Sequence, residues 1–244
     1  MDLAGRVALV TGASGGIGAE LSRRLAGAGV AAVGLHYGRH AAEAEAVAEA
    51  VRGAGVRALL VEADLGDATA CEALIDGVQA ELGPVDVLVA NAGLGGQAAW
   101  QDVDAAAFDR MLAVNLRAPF LLARRALPGM VARGFGRVLF TSSIAALTGG
   151  IVGPHYAASK AGLHGLTHHL AARVARDGVT VNAIAPALIA ETRMLPGDPG
   201  ELGQRIPVGR VGTPAEVADL ALAILRNGYL TSKVIAIDGG LYPT

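Results

Sequence analysis

The sequence predicts a doubly wound α/β fold, a single domain over residues 1–244 with a seven-stranded parallel sheet flanked by helices. Three observations predict it. Short β-branched runs alternate with long amphipathic stretches, so the hydrophobic period switches repeatedly between that of a strand and that of a helix. The short runs are apolar throughout, as strands covered on both faces are. Gly, Asp, Asn and Ser gather directly after these runs, where open parallel sheets place their ligands.

In order, the pattern gives a strand at 7–11, a helix at 16–28, a strand at 30–35 and a helix at 41–54. A strand at 57–62, a helix at 67–82, a strand at 85–90 and one long helix at 105–133 follow. A strand at 137–141 leads through a loop to a helix at 155–176, and strands at 179–184 and 234–237 complete the sheet. The many alanines fall at helical spacing among Glu, Arg and Leu, which favours close-packed helices over disorder. Between Pro186 and Thr213 the pattern dissolves into Pro, Gly and polar residues. A loop this long inside a compact domain predicts a substrate lid at about 187–212, the alternative being a surface excursion without a role.

Composition narrows the function. With 52% hydrophobic residues and a net charge of −2, the chain can bury a large core and carries no basic field for nucleic acid or an anionic membrane. No apolar run approaches the roughly 20 residues that span a bilayer. Cys71 is the sole cysteine and is expected to be a reduced, surface or half-buried thiol. Together with the absence of a leader-like segment before the first strand, this predicts a cytoplasmic protein.

The first strand ends in Thr11-Gly12-Ala13-Ser14-Gly15-Gly16-Ile17-Gly18, which opens directly into a helix. Glycines there permit a tight turn and close backbone approach to a pyrophosphate, and the helix N-terminus offers free N–H groups. Gly12, Ser14, Gly15, Ile17 and Gly18 are therefore candidate dinucleotide ligands. An acid at the end of the second strand would select NAD by bonding the ribose 2′-hydroxyl. This chain has Leu35-His36-Tyr37-Gly38-Arg39-His40 instead, so Tyr37 and Arg39 favour NADPH, unless Arg39 is a solvated charge. Gly15 stands where a second basic residue often assists the phosphate. Asp64-Leu65 is placed to touch the adenine and Asn91-Ala92-Gly93 to turn beside the cofactor, although each also reads as a plain cap or turn.

The chemistry points to Tyr156-Ala157-Ala158-Ser159-Lys160 on a helix, preceded by Thr141-Ser142-Ser143 at a strand end. Residues four apart share a helix face, so the Lys160 ammonium can reach toward the Tyr156 phenol. A nearby positive charge favours the phenolate, bringing an unperturbed pKa of about 10 toward neutrality. Tyr156 is then a general acid for carbonyl reduction, and Ser143 a hydrogen-bond donor to the carbonyl oxygen. Taken alone, the same residues also describe an amphipathic helix with an exposed Tyr and Lys.

The ordered set TGASGGIG, the Asp-Leu after the third strand, NAG, VNLRAPF, a serine thirteen residues before YAASK, and the closing IDGGLYP resembles the short-chain dehydrogenase/reductase family along essentially the full chain. The resemblance implies a Rossmann fold in which Asn115 holds a water in a proton relay, Ser143 orients substrate, Tyr156 exchanges the proton and Lys160 also bonds the nicotinamide ribose. It extends the cofactor-binding set to Tyr156, Lys160, Pro186 and Ile189. RIPVGRVGTPAEVA and YLTSKVIAIDGGLYP look most like 3-oxoacyl-acyl-carrier-protein reductases of fatty acid biosynthesis, which implies NADPH, an acyl-thioester substrate and a homotetramer. Three positions depart from the usual pattern: Ala187 replaces a glycine, Ile189-Ala190-Glu191-Thr192 is one residue longer than usual, and Ala90 replaces an asparagine.

An acidic carrier protein would need a basic patch, for which Arg133, Arg137, Arg173 and Arg176 are candidates, against the alternative of scattered surface charges. Asp177 stands where carrier-using relatives often have a basic residue. His164 and His168 lack a third ligand for a metal and are expected at a helix contact between subunits, and His155 is read as a first-turn residue. Trp100 either lines the substrate pocket or anchors a loop. Two rival functions remain: an NAD(P)-dependent alcohol, polyol or steroid dehydrogenase, and a non-catalytic dinucleotide-binding module.

Overall fold

In the computed structural model, residues 2–195 and 197–242 are described. Met1, Pro196 of the Pro- and Gly-rich run and Pro243 of the closing motif lie outside them. The order is β1 (Val7–Thr11), α1 (Gly16–Gly27), β2 (Ala32–Tyr37), α2 (Ala41–Gly53), β3 (Arg57–Glu62), α3 (Ala68–Leu82) and β4 (Val87–Ala90). Then come α4 (Ala105–Leu112), α5 (Ala118–Ala132), β5 (Gly136–Thr141), α6 (Ala145–Thr148), α7 (Pro154–Val174), β6 (Val179–Pro186), α8 (Pro199–Gly203), α9 (Pro214–Arg226) and β7 (Val234–Ile237). The seven strands form one sheet in the order β3-β2-β1-β4-β5-β6-β7. Every pairing is parallel. The crevice where the order reverses lies between β1 and β4.

A core covers each face of the sheet. On one, Leu21, Leu25, Val47, Val51, Val217, Ala221 and Ile224 bring α1, α2 and α9 onto Val33, Leu35 and Val89. On the other, Leu74, Ile75, Val78, Leu122, Met130 and Leu163 bring α3, α5 and α7 onto Leu9, Leu88, Val138 and Phe140. Each Val, Leu, Ile, Met or Phe among them contributes about 1.5–3 kcal/mol by leaving water, which is why the central strands read as unbroken apolar runs.

Several boundaries differ from the sequence reading, each for an identifiable reason. The second strand begins two residues later than expected and continues through His36 and Tyr37. Its pairing with both neighbours persists to Thr11↔His36 and Tyr37↔Glu62, and hydrogen bonds accommodate the polar ring of His36. The fourth strand begins at Val87; at its entrance Asp86 N–H donates to Val7 O and its carbonyl accepts from Arg137 N–H, while its side chain accepts from Val7 N–H and Arg133.

The single helix expected at 105–133 is three pieces: α4, a wider π-helical turn Ala113–Arg117 in which Ala118 N–H bonds to Ala113 O, and α5. Pro119 lacks an N–H, so the Asn115 carbonyl has no donor at the position an α-helix would supply. Helix α9, unassigned from sequence, starts with a capping box in which Thr213 Oγ1 accepts from Glu216 N–H and the Glu216 carboxylate accepts from Thr213 N–H. No described helix is long and apolar enough to cross a membrane.

Candidate active site

The glycine-rich turn sits at the carboxyl end of β1, beside the crevice. Gly12 (φ 67°) and Gly16 (φ 48°) lie in the left-handed region, and a Cβ on Gly18 would stand 2.2 Å from the Gly12 carbonyl oxygen. Gly15, at the N-terminus of α1, makes no side-chain cap, leaving the first N–H groups of that helix to an anion. Two polar residues brace the turn from neighbouring strands. Gly12 N–H donates to His36 Nδ1 at 3.2 Å, while His36 Nε2 bonds Ala63 O at 3.1 Å, fixing a neutral ring with its proton on Nε2. Burial pushes this imidazole below its ordinary value, against the opposing effect of the Ala63 carbonyl. Asn91 Nδ2 donates to Thr11 O at 3.0 Å, and Thr11 Oγ1 accepts the N–H groups of Asn91 and Ala92, both at 3.0 Å.

The remaining predicted ligands fall along the same edge. Tyr37 ends β2 and Arg39 lies exposed just beyond it. Asp64 accepts from Arg110 at 2.7 Å and from Gly66 N–H at 2.9 Å, and these bonds hold its carboxyl below the usual range with Arg39 adding to the effect. That is a turn-forming and ion-pairing environment, as the plainer sequence reading had it; Leu65 beside it is buried. Pro186 ends β6 and Ile189 is buried under the segment that follows.

Asn115, Ser143, Tyr156 and Lys160 come from three different elements and meet beyond the ends of β4 and β5. Lys160 Nζ donates to Thr141 O at 2.7 Å and stands 5.8 Å from the centre of the Tyr156 ring, one helical turn away. A Cβ on Gly93 would come within 3.4 Å of Lys160 Nζ and 3.3 Å of Asn115 Oδ1. The turn Asn91-Ala92-Gly93 is thus a cradle kept open against these two side chains. Asn115 pairs twice with the main chain of Leu94, accepting its N–H at 2.7 Å and donating to its carbonyl at 3.0 Å, and also donates to Ser159 Oγ at 3.2 Å. The Ser143 hydroxyl adjoins the Tyr156 phenol and accepts from Ala145 N–H at 3.2 Å.

Burial dominates the titration of the pair. It pushes Lys160 down to about 8 and Tyr156 above its ordinary value, with the Ser143 hydroxyl opposing the rise. The sequence expectation that Lys160 brings the phenol down is not met in the protein itself, where desolvation raises it and the opposing effect comes from Ser143.

Other expectations are corrected. Arg137 is 1% exposed; its guanidinium donates to Leu225 O, Gly136 O and Gly178 O and lies 4.4 Å from the centre of the Phe135 ring, so it belongs to the core. Arg133 is tied to Asp86 and Val85 O. With Arg173 and Arg176 at the end of α7, all four arginines lie toward the amino-terminal edge of the sheet, opposite Tyr156, and form no docking patch at the site entrance. The expected subunit contact of His164 and His168 stands untested by a single chain, in which His164 bonds Ser142 Oγ at 2.8 Å and the exposed His168 bonds Ser232 Oγ at 3.1 Å. His155 is in the first turn of α7 as read, and its Nδ1 is the one buried side-chain polar atom without a partner among the described residues. Cys71 is fully buried, with its thiol pushed up to about 11. Trp100 is 74% exposed in a short turn.

Exposed Leu94, Ile151 and Met194, on loops, and Leu147, on α6, stand around Tyr156. Those loops are tied together by Ala98 N–H to Val152 O at 2.9 Å, and Met194 packs against Gly95. Sequence reasoning missed His36, Thr11 and Met194 as parts of the site. His36 left a signal, as a polar side chain in the stretch that closes the second strand, and Thr11 as the first residue of the glycine-rich turn.

A doubly wound parallel sheet with a glycine-lined anion cradle at its reversal point, open toward a buried Tyr and Lys, defines a dinucleotide-binding oxidoreductase. Residues 6–199 match the short chain dehydrogenase family. The chain belongs to the short-chain dehydrogenase/reductase family, and its cofactor is a nicotinamide dinucleotide. It is 40% identical over 243 residues to cis-4-hydroxycyclohexanecarboxylate dehydrogenase of Sinomonas cyclohexanicum, covering 96% of each chain. It is 34% identical over 249 residues to the 3-oxoacyl-[acyl-carrier-protein] reductase FabG of Aquifex aeolicus, covering 99% of each. A solved structure of a blue fluorescent protein from a metagenomic library, in complex with NADPH, superposes with a TM-score of 0.93 at 33% identity, covering 100% of both chains.

Proposed function

We propose that this chain is an NADPH-dependent reductase acting on the ketone of a β-ketoacyl thioester or a related carbonyl compound. The observation that carries the reading is the convergence of Ser143, Tyr156 and Lys160 beside Asn115 under an apolar rim. The bound dinucleotide supplies the hydride. Gly12, Ser14, Gly15, Ile17 and Gly18 would hold its pyrophosphate, Tyr37, Arg39, Asp64 and Leu65 its adenosine, and Asn91, Ala92, Gly93, Lys160, Pro186 and Ile189 its nicotinamide end.

Tyr156 gives its phenolic proton to the carbonyl oxygen as negative charge builds there, and Ser143 donates a hydrogen bond to the same oxygen. Lys160, held by Thr141 O, places a positive charge beside the phenolate that forms and bonds the nicotinamide ribose. Asn115 has its side chain committed to Leu94 and Ser159, so it holds the relay water through its main-chain carbonyl, the group that Pro119 leaves without a helical donor. Residues 187–212 act as the lid. The assembly is a homotetramer built on the faces of α5 and α7, where Phe120 is exposed.

A second reading has an observation of its own. The burial of Arg137 removes a cation proposed for a carrier protein, and the relative that is 40% identical is named for a small alicyclic hydroxy acid. On that reading the enzyme oxidises a compact secondary alcohol. Initial rates with NADPH and an acetoacetyl thioester, against NADP+ and cis-4-hydroxycyclohexanecarboxylate, separate the two. Tyr156→Phe should keep cofactor affinity and lose turnover by about 10²- to 10⁴-fold. Unchanged turnover in that variant overturns the assignment of the acid, and binding without turnover of any carbonyl or alcohol leaves the non-catalytic module.

A further inference from the structure

Arg193, in the segment after β6, reaches the glycine-rich turn. Its Nη1 lies 3.3 Å from the point a Cβ on Gly15 would occupy, and its Nη2 donates to Glu43 Oε1 at 3.0 Å in the first turn of α2. The guanidinium therefore spans the gap between the pyrophosphate turn and the end of β2, where the 2′ position of the adenosine ribose is read. Gly15 has φ −162°, an extended conformation open to any residue, so the backbone does not require glycine there. What a side chain at 15 would meet is Arg193.

We infer that Arg193 is a specificity-determining residue for the adenosine 2′-phosphate, delivered by the lid into the space that Gly15 leaves open. This rests on the NADPH reading above. The charged groups around that space are Arg39, His40 and Arg193 on one side of the balance and Glu43 and Asp64 on the other. His40 Nδ1 is 3.6 Å from Glu43 Oε1, and Asp64 is taken up by Arg110. The Arg193–Glu43 pair is half exposed on both sides, so exchanging a carboxylate for a phosphate dianion costs little and gains a fork-shaped contact. Because Arg193 follows Glu191 and Thr192, which approach Gly16, the same grip closes the lid over the dinucleotide.

The test is equilibrium binding of NADP+, NAD+ and 2′,5′-ADP, by calorimetry, to the full chain and to Arg193→Ala, Arg193→Lys, Arg39→Ala and Glu43→Gln. Arg193→Ala should weaken NADP+ and 2′,5′-ADP about 10- to 100-fold while NAD+ changes less than about twofold, with Arg193→Lys between. Glu43→Gln should tighten NADP+ alone. Adding Gly15→Arg to Arg193→Ala should restore NADP+ binding by returning the charge from the other side of the gap. Equal weakening of NADP+ and NAD+ would place Arg193 on the pyrophosphate and overturn the inference. Retained NADP+ preference in Arg193→Ala, with the preference lost in Arg39→Ala, overturns it too while sparing the NADPH reading. A parent chain that binds NAD+ as tightly as NADP+ sinks that reading and the inference with it.

Discussion

His36 accepts the Gly12 N–H on its Nδ1 and presents its other nitrogen to Ala63 O, so one neutral ring joins the glycine-rich turn to the end of β3. Protonation would place a second N–H opposite the Gly12 donor. Burial holds the folded pKa below the ordinary 6.5, and the unfolded chain therefore takes up a proton first as the pH falls. The stability due to His36 is fully present above about pH 6.5 and is lost as acidity increases through the depressed value. We expect the urea midpoint to drop between about pH 7.5 and about pH 5.5, and His36→Gln to flatten that drop. Part of it should persist, because burial and His168 also hold His164 low. An identical pH dependence in the variant would refute the assignment.

Asn115→Ala removes both bonds to Leu94 and the one to Ser159. We expect a loss of about 1–3 kcal/mol in chemical denaturation, together with a lower kcat. A variant of full stability and full kcat would mean that the paired contact positions nothing.

Arg137→Met leaves three main-chain carbonyls without their donor, a cost of roughly 2–4 kcal/mol in unfolding free energy. Turnover per folded molecule should not change, even with a carrier-bound substrate. A KM rising for the carrier-bound form alone would return Arg137 to a docking role.

Cys71 should resist thiol reagents in the folded protein at neutral pH, since burial both shields the sulfur and holds its pKa at about 11. Titration with a chromogenic disulfide in buffer and then in denaturant checks this, one thiol appearing only after unfolding.

What was legible in the sequence was what is local. The turn from Thr11 to Gly18 and the four-residue step from Tyr156 to Lys160 encode their geometry in consecutive residues, and the structure brings them to one edge as expected. The ends of strands were less legible: His36 reads as a loop residue until its two partners, at Gly12 and Ala63, are in place. The break at Ala113–Arg117 was written in Pro119, but a single apolar periodicity running on both sides of it concealed the change of helix. Arg137 read as a surface charge because its partners are carbonyls that only the packed α9 and the turn at Gly178 supply. Arg193 is 150 residues from Glu43, a separation across which no pattern speaks.

Ser143, Tyr156 and Lys160 are mounted just past the end of β5 and on the long helix α7, and Asn115 on the π-helical turn before α5, whereas the apolar rim of Leu94, Leu147, Ile151 and Met194 belongs to loops and to the single turn of α6. These two sets share almost no backbone. On the proposed function, a replacement of a rim side chain is expected to change which molecule is admitted while leaving the proton-transfer geometry where it was, so such an enzyme can acquire a new diet by small, separately tolerated steps. The division also gives an engineer a rule of thumb: recruit from the loops, and leave the edge of the sheet alone.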